Sequence, residues 1–130
     1  MSKDILMNLN DIQPSQLYIN SQKLNNVLKW FTPSDYESYD ALPIKTLNGK
    51  IIFTDGHTRA YAAYIKGVKT INVYWDEDEL SWNAYQICVD WCIAEGINSI
   101  EDLKGRVIEP SEYKILWLDR CRNMHNQLGI

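Results

Sequence analysis

The sequence lacks the features that accompany two common classes of partner. It has no basic run, and 13 Lys and Arg residues stand against 17 Asp and Glu residues, for a net charge of −4. Because non-specific affinity for DNA comes mainly from cations that neutralise phosphates, this acidic chain disfavours DNA as a partner. It also has no apolar run near the ~20 residues that a membrane-spanning helix needs, so we expect no membrane partner.

Cysteine is scarce and odd in number, which bears on the compartment. The chain has three Cys residues, and an odd count leaves at least one thiol outside any set of disulfides. The first ten residues, MSKDILMNLN, lack the apolar core of a secretory signal. Free thiols without such a signal are typical of a reducing compartment, so we expect a cytoplasmic protein.

What is present is typical of one folded domain, residues 1–130. The chain is 45% hydrophobic and 12% aromatic, which is enough for a core without disulfides or metals. No repeat, low-complexity stretch or linker divides it. The order of the predicted elements indicates an α+β fold. We expect a small mixed sheet with a βαβ unit in a core, residues 5–76, and helices packed on that core in a C-terminal extension, residues 80–128.

Asn48-Gly49 gives the clearest local signal. The pair separates two apolar runs, LPIKTL and KIIFTD, and both residues tolerate the positive φ of a type I′ turn, so the runs are predicted to form a β-hairpin. A helix over 57–66, closed by Gly67, and a strand over 69–75 follow it. A strand, a helix and a strand in this order predict a βαβ unit.

Further elements are predicted on both sides of this core. An extended segment is expected near 5–9, and Ser21, Ser81 and Ser111 are the expected caps of three helices. The acidic run 76–79 is expected to complement the dipole of the helix that follows it. The inward face of the last helix is expected to carry Tyr113, Leu116, Trp117, Cys121, Met124 and Leu128.

The joint between the second hairpin strand and the next helix carries unusual chemistry. In the stretch TDGHTRA, Gly56 and His57 precede Arg59, a cation in the first helical turn. A helix N-terminus has free N–H groups and a partial positive charge, so a cation there is unfavourable unless an anion is bound. Arg matches phosphate through its planar fork of donors, and His57 can donate to a phosphate or transfer a proton near neutral pH. The joint therefore predicts an anion site.

Each of these residues also has a purely structural interpretation, which stays open. Gly56 can serve only the turn, and Asp55 or Thr58 can serve only as a helix cap. His57 can be satisfied by a carbonyl group, and Arg59 by a surface carboxylate. The prediction of an anion site rests on the combination of these residues at one joint.

The run LPIKTLNGKIIFTDGHTRAYAAYIKGVKTINVYW resembles the core of the ParB/sulfiredoxin superfamily. Members share a Pro-led strand, a hairpin, a Gly-containing turn with Arg at the start of a helix, and a further strand. The resemblance covers residues 5–76. It implies a nucleotide or phosphate site at this turn, with ATP, ADP or CTP as the candidate nucleotide.

The resemblance also implies roles for individual residues. By position, Gly56, His57, Thr58 and Arg59 would hold phosphates, and Mg²⁺ would accompany them. Asp55 would position a metal or a hydroxyl nucleophile, which makes Asp55 and His57 the candidate catalytic residues. The implied protein is a ParB-like domain that binds a nucleotide or another phosphorylated small molecule. Its candidate reactions are phosphate transfer to a small molecule and nucleotide hydrolysis.

Departures from the family pattern narrow these implications. Sulfiredoxin chemistry needs a Cys directly before the His of the turn, where this chain has Gly56, so that activity is not implied. ParB partition proteins add a helix-turn-helix domain, whereas the residues after the core here are few and not basic. Kinase-like members use an upstream acidic residue as a base, for which Asp11 and Asp40 are both candidates.

A second cluster of polar side chains is predicted in the C-terminal extension. Cys88 and Cys92 lie four residues apart, as do Cys121 and His125, so two packed helices could bring four zinc ligands together. Free Cys, however, behaves more often as a small buried apolar residue. We therefore predict no metal site and keep zinc as the alternative.

A different class of function is kept beside the nucleotide site. The same fold could be a non-catalytic interaction module that presents Tyr36, Tyr39 and Tyr74 to a protein partner or to a second copy of the chain. A contiguous exposed aromatic patch would favour this alternative, and buried aromatics would not.

Overall fold

The computed structural model describes residues 4–130. Its main sheet has four strands in the order β1-β5-β3-β4. These are β1 Ile5–Asn8, β3 Leu42–Leu47, β4 Lys50–Phe53 and β5 Thr70–Trp75. A second sheet pairs β2 Ile19–Asn20 in parallel with β6 Val107–Ile108. The mixed sheet and the α+β class are confirmed.

The predicted hairpin is confirmed. β3 and β4 pair antiparallel, with Leu47 opposite Lys50. Asn48 and Gly49 have φ values of 49° and 78°, as both central residues of a type I′ turn require.

The predicted crossover to a parallel strand is present, but it begins at β3 rather than at β4. β4 is antiparallel to β3 and β5 is parallel to β3, so β4 and β5 run in opposite directions, and the strand order places them on opposite sides of β3. The crossover therefore joins β3 to β5 through β4 and helix α2, His57–Ile65. The outer edge of β4 is taken by Gln13, whose backbone bonds to Ile51 and Phe53.

The upstream elements follow the predictions with one shifted cap. β1 is an edge strand and continues into a 3-10 turn, Leu9–Asp11. Helix α1 spans Ser21–Trp30. Its cap is Asn20 rather than Ser21, because the Asn20 side chain accepts bonds from the N–H groups of Gln22 and Lys23.

The C-terminal extension forms two long helical segments. Helix α3 spans Trp82–Ala94, and a 3-10 turn, Ile100–Leu103, follows it. The C-terminal helix comprises α4 Pro110–Tyr113, a π-helical segment Lys114–Leu118 and α5 Asp119–Leu128. Helical backbone begins at Pro110, so Ser111 is already inside the helix and is not its cap. Pro at the first helical position has the required φ and lacks only an N–H that would be unpaired there.

The extension packs on the sheet, as predicted. Cys88, Tyr113 and Trp117 belong to the same buried cluster as Ile44 and Val73 of the sheet. Two residues expected on the inward face, Leu116 and Leu128, are instead 41% and 38% exposed. For Leu116 the π-helical segment gives the reason, because its wider turn rotates the apolar stripe away from the spacing of an α-helix.

Membrane-spanning helices were sought over residues 4–130. No helix in that part of the chain combines the length and the apolar character that crossing a bilayer requires.

Candidate functional site

The first turn of α2 is open at its N-terminus. Gly56 precedes the helix in a left-handed conformation, with φ 79°, and no side chain within residues 4–130 caps the first turn. The Asp55 carboxylate accepts a bond from Gly56 N–H, at 2.8 Å, and so does not reach the helical N–H groups. The N–H groups of a first turn have no partner within their own helix, which leaves those of 57–59 for a ligand or for water.

Gly56 is explained by the backbone and by its packing. A Cβ atom at this position would lie 2.9 Å from Leu42 Cγ, and an L side chain would be strained at this φ. The Leu42 side chain therefore lies against the face of Gly56 from which a side chain would project.

His57 is a core residue of the turn. It is 3% exposed, and its Nε2 atom accepts a bond from Ser15 N–H at 3.0 Å. The ring packs edge-on against Phe53, with ring centres 5.7 Å apart. His57 therefore ties the first turn of α2 to the segment that precedes β2.

The protonation state of His57 follows from this burial. Burial lowers the pKa of His57 to about 4, and the nearby Asp55 carboxylate only partly offsets the effect. Because Nε2 accepts a bond, the single proton of the neutral ring lies on Nδ1. Nδ1 has no hydrogen-bond partner within residues 4–130. His57 at neutral pH is thus a neutral group with one unused donor.

Arg59 is held in place without losing its charge. Its Nη1 atom donates to the backbone carbonyl of Asp40 at 2.7 Å. In the described part of the chain the ion pairs involve other cations, Arg106, Lys114, Arg120 and Arg122. The predicted alternative, a surface carboxylate paired with Arg59, is not what the structure contains.

Arg59 lines two cavities at this turn. The first, here named the α1 cavity, has a volume of about 470 Å³ and contains all five predicted site residues in its lining. It lies between α1 and the first turn of α2, and its charged lining residues are Lys23, Arg59 and Asp55. Its lining residues are Gln16, Lys23, Asn26, Val27, Trp30, Asp55, Gly56, His57, Thr58, Arg59 and Tyr113.

The second cavity, here named the sheet-edge cavity, has a volume of about 990 Å³. It shares Asp55 and Arg59 with the α1 cavity and is otherwise lined by strand ends and by the loop before β3. Its lining contains one cation, Arg59, and four carboxylates, those of Asp4, Glu37, Asp40 and Asp55. Of the two candidate upstream bases, Asp40 lines this cavity, whereas Asp11 lines neither.

The α1 contribution was missed at the level of sequence. Lys23, Asn26 and Trp30 follow the i, i+3, i+7 spacing of one helical face, and all three line the α1 cavity. Trp30 is 56% exposed. The sequence does show a Trp seven residues after a Lys, and this spacing places both side chains on one face of the helix.

The three tyrosines of the alternative function do not form a surface patch. Tyr39 is buried, and its hydroxyl accepts a bond from Asn72 N–H and donates to the Pro33 carbonyl. The Tyr36 hydroxyl is bonded to the Thr70 hydroxyl at 2.6 Å. With Tyr74, they line the sheet-edge cavity.

One residue of the acidic run has a structural role besides the predicted one. Asp76 is buried, and its carboxylate accepts bonds from the Thr54 hydroxyl and from Asp78 N–H, both at 2.9 Å. This aspartate therefore fixes the end of β4 to the loop after β5, in addition to any effect of the run on the dipole of α3.

The four residues of the zinc alternative do not form a metal site. Within residues 4–130, no group of three or more His, Cys, Asp and Glu side chains is arranged to hold a metal ion. Cys88 and Cys92 are buried, Cys121 is partly buried and His125 is exposed.

Comparison with known proteins finds likeness among solved structures. No family model and no curated protein matches the chain. Among solved structures, protein Atu1540 from Agrobacterium tumefaciens aligns with a TM-score of 0.50 at 10% sequence identity. The alignment covers 75% of this chain and 51% of that chain, so this chain matches about half of the length of its neighbour. At this identity the likeness concerns the fold alone.

Proposed function

We propose that the chain binds a nucleotide, or another phosphorylated small molecule, in the α1 cavity. The observation that carries the proposal is the first turn of α2, which no side chain within residues 4–130 caps. It opens into a cavity where Arg59, which makes no ion pair in that part of the chain, and Lys23 are lined up with a single carboxylate. Free N–H groups, the helix dipole and a guanidinium together favour a bound phosphate. The cavity volume falls in the range of about 300–1,000 Å³ that is usual for small-molecule sites.

Each lining group has a role in this proposal. The N–H groups of 57–59 and Arg59 hold the phosphates, and Lys23 adds a second cation from α1. Trp30 offers an exposed ring on which a base can stack, a contact worth about 1–3 kcal/mol per base in single-strand binders. His57 positions the turn, and its lowered pKa leaves it uncharged at neutral pH.

A phosphate-transfer or hydrolysis reaction is a further part of the proposal. Such reactions depend mainly on positioning and on neutralising the charge of the transferred group, which Arg59 and Lys23 can supply. Asp55 is exposed and borders both cavities, so it is the better placed of the two candidate catalytic residues. His57 would first have to release Ser15 N–H before Nε2 could accept a proton.

Mg²⁺ fits this site only as a companion of the ligand. Asp55 is the one carboxylate in the α1 cavity lining, and Mg²⁺ usually binds one or two carboxylates together with substrate phosphates and waters. When bound, the ion would neutralise phosphate charge. Membership of the ParB/sulfiredoxin superfamily and a cytoplasmic location belong to the same proposal.

The interaction module remains the alternative. It is less well supported, because Tyr36 and Tyr39 are held by internal hydrogen bonds and Tyr39 is buried. This alternative predicts a partner in solution and no response to nucleotides.

A ligand screen tests the proposed function. Thermal unfolding with ATP, ADP, CTP or GTP and Mg²⁺ should raise Tm for at least one nucleotide, because a ligand that binds only the folded state stabilises it. Calorimetry then gives the affinity. No response to any nucleotide or to inorganic phosphate would overturn the proposal.

A further inference from the structure

A third cavity lies between the end of β4 and helix α3. It has a volume of about 300 Å³ and is here named the α3 cavity, because Ala84, Tyr85 and Cys88 of that helix contribute to its lining. Its lining also contains buried residues from other parts of the chain, among them Ser15 and Trp117, and exposed residues such as Ser81. A small molecule in this cavity would therefore be partly enclosed and still reachable from solvent, as is usual for small-molecule sites.

The lining of the α3 cavity differs in charge from the linings of the other two cavities. None of the described residues that line it is Asp, Glu, Lys or Arg, whereas both other cavities contain Arg59 and at least one carboxylate. A charged group that leaves water without an opposite charge beside it is strongly disfavoured. The α3 cavity therefore favours an uncharged ligand.

Three hydroxyl groups of this lining have already committed their hydrogens. Ser15 Oγ donates to the Phe53 carbonyl at 2.7 Å, and the Tyr85 hydroxyl donates to the Thr54 carbonyl at 3.0 Å. Thr54 Oγ1 donates to the Asp76 carboxylate at 2.9 Å. A hydroxyl oxygen that has donated its one hydrogen keeps lone pairs that accept. To a ligand these three groups are acceptors, so the ligand that suits them is a donor.

We propose that the α3 cavity binds a small uncharged polyol, which donates to the hydroxyl oxygens of Ser15, Thr54 and Tyr85 and packs its C–H groups on Trp117. The three acceptors belong to separate residues, so donors spaced along a carbon chain match them better than a single polar group does. A water-sized group occupies about 30 Å³ in a liquid, which gives the cavity room for about ten non-hydrogen atoms. That is enough for a polyol of roughly three to five carbons and too little for a nucleotide.

The polyol site is separate from the proposed nucleotide site. Gln16 and His57 line both the α1 cavity and the α3 cavity, so ligands in the two cavities would be neighbours. Polyol binding requires neither Arg59 nor a nucleotide. Each proposal can therefore fail without the other.

The experiment titrates the isotopically labelled full chain with glycerol and with erythritol, without nucleotide, and follows it by NMR. Saturable shifts are expected, with the largest at the backbone amides of 84–88 and at the indole N–H of Trp117. Three compounds of the size of glycerol test the chemistry: 1-pentanol has a single hydroxyl, lactate is an anion and 2-amino-1,3-propanediol is a cation. Each should bind at least about tenfold more weakly than glycerol, because donors are missing or a charge is unpaired.

Two variants with matched controls locate the site. Tyr85→Phe removes one acceptor and should weaken glycerol binding by roughly five- to tenfold, whereas Tyr18→Phe, outside the cavity lining, should not. Ala84→Leu fills part of the cavity and should abolish the saturable shifts, whereas Ala94→Leu, at an exposed position of the same helix, should preserve them.

The natural chain decides the proposal even if a variant fails to fold. Shifts that do not saturate, shifts that are largest outside the α3 cavity, or binding of 1-pentanol or either charged compound as tight as that of glycerol would overturn it. Unchanged glycerol affinity in folded Tyr85→Phe and Ala84→Leu would overturn it as well.

Discussion

The α1 cavity and the sheet-edge cavity share Asp55 and Arg59, yet their charge balance is opposite. On the α1 side, Arg59 is joined by Lys23 and faces one carboxylate. On the sheet side, the same Arg59 faces four carboxylates. The sequence predicts an anion site at this turn but does not indicate on which side of the turn the anion binds. The charges around Asp55 and Arg59 favour the α1 side.

The difference shows that residues outside the turn decide on which of its two sides an anion is favoured. The three additional carboxylates on the sheet side, those of Asp4, Glu37 and Asp40, disfavour a bound phosphate there. All three are exposed, so salt screens this repulsion.

The largest expected effect comes from removing the shared cation. Arg59→Ala should weaken the binding of any nucleotide found by about 100-fold or more, because charge-assisted hydrogen bonds contribute roughly 1.5–3 kcal/mol each. Calorimetry measures the loss. Arg122→Ala is the control, since it removes the same charge from an exposed position that lines neither cavity. Equal affinity of the two variants for the nucleotide would contradict the assignment of Arg59 to the binding site.

The next effect concerns His57, which anchors the turn between the cavities. Its pKa is about 4 when folded and about 6.5 when unfolded. Protons therefore bind preferentially to the unfolded state. The stabilisation is complete above pH 6.5 and falls by about 3 kcal/mol as the pH drops toward 4. His57→Gln should lose this component of the pH dependence, as urea unfolding at several pH values would reveal. Parallel profiles for both chains would contradict the burial of His57.

A smaller effect concerns Gly56, which sets the direction of the turn. Gly56→Ala should lower the free energy of unfolding by about 2 kcal/mol more than Gly67→Ala, because overpacking typically costs about 1–3 kcal/mol. Gly67 is a matched control, since it has φ 76° but nothing within 4 Å of its added Cβ, whereas Gly56 meets Leu42 at 2.9 Å. Denaturant unfolding of both variants tests the difference, and equal losses would refute the packing argument.

The smallest expected effects test the charge balance of the two cavities. Lys23→Ala should weaken nucleotide binding by about tenfold, while Lys29→Ala, on the same helix but outside the cavity lining, should not. Glu37→Gln removes one charge from the sheet-edge cavity and should strengthen binding by at most about threefold, an effect that high salt removes. Titrations at two salt concentrations measure these changes. A stronger effect of Lys29 than of Lys23 would count against the assigned side.

Local chemistry allowed much of the fold to be predicted. Asn48-Gly49 specifies its own turn, and Gly67 ends α2. Each of these signals acts through the backbone angles of the residues that carry it. Serine is favoured at cap positions, which made Ser111 the predicted cap, but the helix already begins at Pro110. The pairing of β5 with β3 and the bridge from Gln13 to β4 are contacts between distant parts of the chain, which local patterns do not specify.

The candidate site was predictable only in part for the same reason. The residues of the turn are contiguous, so their chemistry could be read together. Lys23 and Trp30 reach the cavity only because α1 packs beside α2. The Leu42 contact that requires Gly56, and the burial that lowers the pKa of His57, are likewise tertiary effects.

The most direct measurement is a nucleotide titration of the isotopically labelled chain followed by NMR, in the presence of Mg²⁺. An anion at the first turn of α2 predicts the largest shifts at the backbone amides of His57, Thr58 and Arg59, together with the indole N–H of Trp30. Largest shifts at Asp40 and Tyr74, on the sheet side, or no shift in α2, would contradict the account.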